Sequence, residues 1–299
     1  MEFNIKIFYG ISSNYTDVTN ICLEKLTRND IITIPMNDNY RASYFGDNFY
    51  SILKKIFILD NGVITEYNEN FKIQIDIKKN IITTINENDV NETLKNIQSK
   101  LSILYGDFNE EIPEQKMVVR YLTGSEKILE IGGNIGRNSL VIASILKDNT
   151  NLVTLESDIS IASQLKENRD LNNFNFYIEN SALSNRCLIQ KGWDTIPSET
   201  LKEGYNWVNT ISLENLKNKY NIEFDTLVLD CEGAFYYILL DMPEILNNIK
   251  LIIMENDYYD ISKKNYIDEI LVKNNFYVDY QESGGWGPCM KNFFEVWKK

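Results

Sequence analysis

The chain has 299 residues, 43% apolar and 24% charged, which is room for two domains of about 150 residues with real cores and excludes a peptide-like or disulfide-stapled scaffold. Thirty Lys and Arg against 43 Asp and Glu leave a net charge of −13, which repels phosphate backbones and anionic lipid; basic residues cluster no further than pairs such as Lys54-Lys55 and Lys263-Lys264. There is no histidine, which excludes imidazole bases and metal ligands, and Cys22, Cys187, Cys231 and Cys289 lack the spacing of a zinc site.

Residues 1–110 read as a β-rich accessory domain. Short apolar runs at 4–9, 31–35, 52–59, 63–67, 71–77 and 81–85 are separated by turn signals. Asp60-Asn61-Gly62 between two such runs marks a hairpin, because Asn and Gly accept positive φ. Phe71, Ile73, Ile75 and Ile77 alternate onto one face. Val18, Cys22 and Leu26 share a helix face, and Leu94, Ile97, Leu101 and Leu104 predict a second helix over 90–104. No stretch reaches the roughly 20 apolar residues of a membrane span, and MEFNIKIFYG lacks a signal-peptide pattern, so a cytoplasmic location is expected.

From residue 111 the pattern alternates strand and helix, the grammar of an α/β fold with helices on both faces of a parallel sheet. Strands are predicted at 127–131, 152–156, 174–178, 225–230, 251–255, 277–280 and 293–297, with helices at 135–146, 159–171, 234–240 and 263–273. Residues 182–224 are too long for a simple crossover and form an insertion with a helix at 213–220, anchored by Trp193 and Trp207.

The strand KILEI runs into Gly132-Gly133-Asn134-Ile135-Gly136 and then a helix, so backbone N–H groups face any ligand over the turn. A dinucleotide fingerprint would need glycine at 134 and 137, where Asn134 and Arg137 stand. Glu130 at the strand end suits a ligand bearing an ammonium group, as S-adenosylmethionine does. Glu156, 20 residues beyond Gly136 at the end of the next strand, suits two ribose hydroxyls. The competing reading makes both acids ordinary solvated carboxylates.

These segments resemble the FkbM family of S-adenosylmethionine-dependent methyltransferases over about residues 112–299. The resemblance is carried by ILEIGGNIGRNSL at 128–140, VTLESD at 153–158, IENSALSN at 178–185, FDTLVLDCEGAFYYIL at 224–239 and IKLIIMEN at 249–256. It implies a Rossmann-like seven-stranded methyltransferase sheet over 111–299, mostly parallel with the last strand antiparallel. It also implies that Ser157, Ser181 and Ala182 join Glu130, Gly132, Gly133, Asn134, Gly136, Glu156 and Asp230 around the cofactor, whose product is S-adenosylhomocysteine. One departure is Phe235, where the family usually has an acid; an acid there would shape the acceptor pocket, so the acceptor here is expected to differ.

Asp230, Glu232 and Glu255 fall at strand ends, where open parallel sheets bind ligands. Without histidine, one of them must take the proton of an acceptor hydroxyl; Asp230 is favoured, with Glu232 or Glu255 orienting the acceptor. A Mg²⁺ ion on the three acids is the less favoured alternative, and Glu232 could simply cap the following helix. Cys231 reads as a packed thiol, since direct transfer needs no covalent intermediate. Trp286, between glycines in the loop before the last strand, either offers its face to a sugar or tucks beneath the loop. The expected activity is O-methylation of a small-molecule hydroxyl, a sugar or glycan precursor, with neither nucleic acid nor membrane as partner and a homodimer allowed. The rivals are an RNA or protein methyltransferase and a catalytically dead binding protein. In the N-terminal half, Asp38, Arg41 and Asp47 make either a binding patch or an internal salt-bridged turn.

Overall fold

The computed structural model describes residues 4–192 and 194–299, so Trp193 lies outside the described residues. The chain divides into two compact units, Met1–Glu92 and Thr93–Lys299. The division falls earlier than residue 110 because the segment after Gln98 bonds to the second unit. Leu104 and Tyr105 donate backbone N–H groups to Asn168 Oδ1 at 2.7 and 3.1 Å, and Ser102 N–H donates to Asn172 Oδ1 at 2.8 Å.

The first unit holds two four-stranded antiparallel sheets. In one, β1 (Lys6–Ile11) lies between β2 (Asn14–Asp17) and β5 (Lys55–Asp60), with β6 (Val63–Tyr67) at the edge. In the other, β3 (Thr27–Arg28), β4 (Ile31–Ile34), β7 (Phe71–Asp76) and β8 (Ile81–Asn86) pair in that order. Ile7, Ile32, Ile34, Ile56, Ile58, Ile73 and Ile75 form its core, their alternation placing one β-branched face of each strand inward. The β5–β6 turn has Asn61 at φ +49° and Gly62 at φ +80°, the hairpin geometry predicted for that pair. Helix α1 (Thr19–Lys25) buries Cys22 as expected.

Helix α2 (Asp38–Phe45) escapes the apolar pattern, because the residues it buries are Asp38 and Arg41. Arg41 is fully buried and donates to the backbone oxygens of Pro35, Asn68 and Phe71. Lys54 pairs with Asp38 at 3.0 Å and Asp47 at 2.8 Å, and Tyr9 donates to Asp38. The group is therefore an internal bracket. A guanidinium that is fully buried and spends three of its five N–H donors on carbonyls offers no surface to a ligand. Helix α3 (Glu87–Gln98) starts and stops earlier than predicted, since Leu101 and Leu104 belong to the extended segment held by Asn168 and Asn172.

The second unit is built on a seven-stranded sheet. Its strands are β9 (Ile128–Ile131), β10 (Leu152–Leu155), β11 (Tyr177–Glu179), β17 (Thr226–Leu229), β18 (Leu251–Glu255), β19 (Tyr277–Glu282) and β20 (Phe294–Lys298), ordered β11-β10-β9-β17-β18-β20-β19. All are parallel except β20, which runs antiparallel to both neighbours. This is the predicted Rossmann-like α/β architecture. ILEI of β9 and TLVL of β17 are buried at every position, as strands covered on both faces must be. Each buried apolar side chain contributes roughly 1.5–3 kcal/mol.

Helices α4 (Ile112–Tyr121), α5 (Arg137–Ile145), α6 (Ile159–Leu171), α8 (Ala234–Asp241) and α9 (Ile261–Lys273) belong to this unit. The insertion contributes β12 (Ala182–Leu183), β13 (Leu188–Lys191), β14 (Asp194–Pro197), β15 (Asn206–Val208), β16 (Thr210–Ile211) and α7 (Leu213–Tyr220). Trp207 on β15 is 52% exposed, so it is no core anchor; the buried residues there include Leu183, Leu188, Ile189, Leu213 and Leu216. Among the described residues no helix is long and apolar enough to cross a membrane.

Candidate functional site

The strand order splits between β9 and β17, and their carboxyl ends open the crevice where ligands bind in such sheets. The glycine turn folds back on this edge. Gly132 and Gly133 N–H groups both donate to Leu155 O, at 3.0 and 2.9 Å, closing the turn against the end of β10. Gly132 has φ +91°, and a Cβ there would lie 1.6 Å from Asp230 O. A Cβ on Gly133 would meet Thr154 Oγ1 at 2.3 Å. Both positions thus need glycine first for the protein's own packing across β9, β10 and β17.

Glu156 joins this turn. Asn134 N–H donates to its Oε2 at 2.9 Å and Asp158 N–H to its Oε1 at 2.8 Å. It is 8% exposed, and burial pushes its carboxyl above the ordinary carboxylate range despite those two donors. Asn180 Nδ2 fixes the same strand end by donating to Glu156 O at 2.8 Å. Around it, Ser157 Oγ donates to Gln190 Oε1 at 3.1 Å and Ser181 Oγ to Glu179 Oε1 at 3.3 Å, while Ala182 opens β12.

Glu130 lies beneath the turn. It is 2% exposed and accepts a hydrogen bond from Ser139 Oγ on α5. This revises the sequence reading: the carboxylate has no surface for an ammonium group and instead ties the strand end to the first turn of α5. Burial raises its pKa to about 7 against the ordinary 4.5. The folded state therefore keeps this proton to higher pH than the unfolded chain. The stabilisation is complete below about pH 4.5 and is lost as pH rises to about 7, amounting to roughly 3 kcal/mol at about 1.4 kcal/mol for each pH unit of displacement. We expect denaturant unfolding of Glu130→Gln to lose this part of the decline and to be more stable than the native chain at pH 8. An unchanged pH dependence would exclude the burial account.

Six carboxylates gather on the β17 and β18 side. Asp230, Glu114 and Glu255 each place one carboxylate oxygen within 4.8 Å of the others. Burial, then the charges of Glu111 and Glu114, drives the Asp230 carboxyl well above its ordinary value. Burial, then a shared hydrogen bond with Glu114, pushes Glu255 up to about 11. Glu232 is the most open of the group, and Asp257 faces it; partial desolvation and the bond to Asp257 bring it to about 8. Its backbone is left-handed at φ +49°, followed by Gly233 at +78°, and α8 has no side-chain cap. Glu232 therefore does not cap the helix. A positive φ at a non-glycine residue is strained, and such strain gathers at functional sites. The Cys231 thiol, packed against the core, is pushed up to about 12 and is inert as a nucleophile.

The sequence reading missed α4. Pro113 in its first turn and the buried pair Met117 and Val118 are its signal. The helix brings Glu114 into the acid group and Glu111 to the glycine turn, where Glu111 Oε1 accepts from Asn134 Nδ2 at 3.1 Å and from Arg137 Nη1 at 2.8 Å. Trp286 is 37% exposed, one face against Tyr259 with ring centroids 4.2 Å apart, and Tyr259 is 88% exposed. The β18–β20 and β19–β20 registers put this loop at the same sheet edge as Glu255. Phe235 is 1% exposed within the core, so the expectation that it lines an acceptor pocket fails for want of accessible surface.

The chain is similar in fold to solved methyltransferases. An O-methyltransferase from Bacillus cereus in complex with SAH shares 16% identity over 71% of this chain and 91% of its own, with a TM-score of 0.41. An O-methyltransferase from Streptomyces achromogenes involved in tomaymycin synthesis, in complex with SAM, shares 15% over 69% and 89%, with a TM-score of 0.41. Fibrillarin from Aeropyrum pernix, with natively bound S-adenosyl-L-methionine, shares 8% over 77% and 94%, again at 0.41. No family model and no curated protein matches the sequence.

Proposed function

We propose that the chain is an S-adenosylmethionine-dependent O-methyltransferase of the FkbM type, acting on a hydroxyl of a small molecule, a sugar or glycan precursor. The observation that carries this reading is the 2.9 Å bond from Asn134 N–H to Glu156, which makes the glycine turn and the β10 carboxylate one site. Each Glu156 oxygen accepts one backbone N–H and keeps a lone pair for a ribose hydroxyl. A cofactor with a positive sulfonium also suits an edge holding Glu111, Glu114, Asp230, Glu232, Glu255 and Asp257. When bound, it supplies an electrophilic methyl group.

The protein's part is to orient the acceptor and accept its proton. Burial and like charge drive the Asp230 carboxyl well above its ordinary value and thereby disfavour its ionised, proton-accepting form, so this role passes to Glu232 at about 8. The Trp286–Tyr259 pair offers aromatic surface to the apolar face of a sugar ring. The four free cysteines suit a reducing compartment.

Calorimetry with S-adenosylhomocysteine tests the cofactor. We expect one site per chain, weakened about 10–100-fold in Glu156→Ala by the loss of charge-assisted hydrogen bonds. No binding, or equal binding by the variant, would defeat the proposal. Transfer of a labelled methyl group to nucleotide sugars then identifies the acceptor.

A further inference from the structure

We infer that Glu111 binds the ammonium group at the amino-acid end of the cofactor, a role that rests on the methyltransferase reading and that the sequence pattern gives to Glu130. The backbone of the glycine turn has no donor left for that end. The Gly132 and Gly133 N–H groups are spent on Leu155 O, that of Asn134 on Glu156, that of Ile135 on Asn134 Oδ1 at 2.8 Å and that of Gly136 on Gly133 O at 2.8 Å. A zwitterion above the turn is therefore met by side chains, its ammonium group most strongly by an acid with an open oxygen. Glu130, beneath the turn at 2% exposure, has none to offer.

Glu111 meets the requirement. It stands at the start of α4 with a left-handed backbone, φ +56°, and its side chain makes no capping bond to that helix. The carboxylate reaches the turn instead, where Oε1 accepts from both Asn134 Nδ2 and Arg137 Nη1. Among the described residues nothing donates to Oε2, and the side chain is 18% exposed. The segment carrying it is fastened to the turn independently: Arg137 Nε donates to Asp107 O at 3.0 Å, Asn168 Nδ2 donates to both Tyr105 O and Ile135 O, and a Cβ on Gly106 would stand 2.3 Å from Ile135 Cδ1. The open oxygen is thus held in place before any ligand arrives. Its charge acts on Glu130 at the end of β9 and on Asp230 at the end of β17, the two strands whose ends open the crevice. Burial pushes the Glu111 carboxyl above its ordinary range even with Arg137 bonded to it, so one guanidinium leaves its charge incompletely compensated. An ammonium group on Oε2 would supply the rest.

Calorimetry of the full chain with S-adenosylhomocysteine, and with the same molecule carrying hydrogen in place of its amino group, tests the assignment. We expect the native chain to prefer S-adenosylhomocysteine by about tenfold or more, since a charge-assisted hydrogen bond is lost with the amine. Glu111→Gln keeps an oxygen for Asn134 and Arg137 and can place a donor at the open position. It should lose most of that preference and bind the deaminated analogue as the native chain does. A preference that survives in Glu111→Gln, equal binding of the two ligands by the native chain, or equal weakening of both in the variant overturns the inference and leaves the cofactor reading standing. A native chain that binds neither ligand defeats both. Circular dichroism establishes that the variant is folded; should it not fold, native crystals soaked with S-adenosylhomocysteine decide, with the amino nitrogen expected within hydrogen-bond distance of Glu111 Oε2. An amino nitrogen on Asp230 or on a backbone carbonyl instead overturns the assignment.

Discussion

Gly132→Ala should cost the second unit about 3 kcal/mol or more and abolish S-adenosylhomocysteine binding. Two effects add. At φ +91° any side chain pays roughly 1–3 kcal/mol for a left-handed backbone. The new methyl would also stand 1.6 Å from Asp230 O and 2.7 Å from its carbonyl carbon, a backbone clash that no rotamer relieves. Neither strand end can yield easily. Gly132 N–H is bound to Leu155 O, and Asp230 N–H to Ile131 O at 3.1 Å, so relief must pull β9 from β10 or β17. Gly192→Ala, in the same unit, is the control: its φ of +58° is also left-handed, but nothing lies within 4 Å, and only a left-handed penalty of about 1–2 kcal/mol is expected. All four tryptophans belong to residues 93–299, so their fluorescence in urea follows the second unit alone. A Gly132→Ala midpoint within the range of Gly192→Ala would show that the strand ends separate freely, and the rigid crevice described above would have to be abandoned.

What was legible in the sequence follows from which interactions are local. Strands buried on both faces announce themselves as apolar runs, so β9, β10, β17, β18 and β20 fall within a residue or two of their predicted places. Helix α6 is capped by Asp158, which accepts from Ser160 and Ile161 N–H groups, and its span is as predicted. The misses share a cause. The end of α3 is set by Asn168 and Asn172, more than sixty residues away, which no window of local periodicity contains. Helix α2 buries Asp38 and Arg41, so a search for apolar stripes passes over it. Strand β11 starts later than the apolar stretch from Phe174, because Phe176 is spent on packing and on accepting from Arg169 before pairing with β10 begins.

The candidate site shows the same division. Glu156, Asp230, Glu232 and Glu255 were recognisable because strand ends deliver residues to one edge whatever the loops do. Their ranking as acids and bases was not recognisable, since it depends on Glu114 arriving from α4 and on how much water each carboxyl retains. Glu130 is the clearest case. Its position in the pattern names it a ligand, and only its burial under Ser139 shows that it supports the turn.

That ranking makes Glu232→Gln the decisive substitution for the chemistry. With a carboxyl at about 8, Glu232 is ionised in a useful fraction at neutral pH, and its conjugate acid is close enough to ambient pH for efficient proton transfer. Amide replacement keeps the size and removes the basicity. We expect methyl transfer to fall about 10²–10⁴-fold with S-adenosylhomocysteine affinity unchanged, because Glu232 takes no part in the Glu156 and glycine-turn contacts. In the native chain kcat/KM should rise with pH and level off above about 8, since the base works only when deprotonated. The residual activity of Glu232→Gln should lack that limb. A flat native profile, or a variant retaining more than about a tenth of the rate, would move the proton to another acceptor, and Asp257, which faces Glu232, is the group to substitute next.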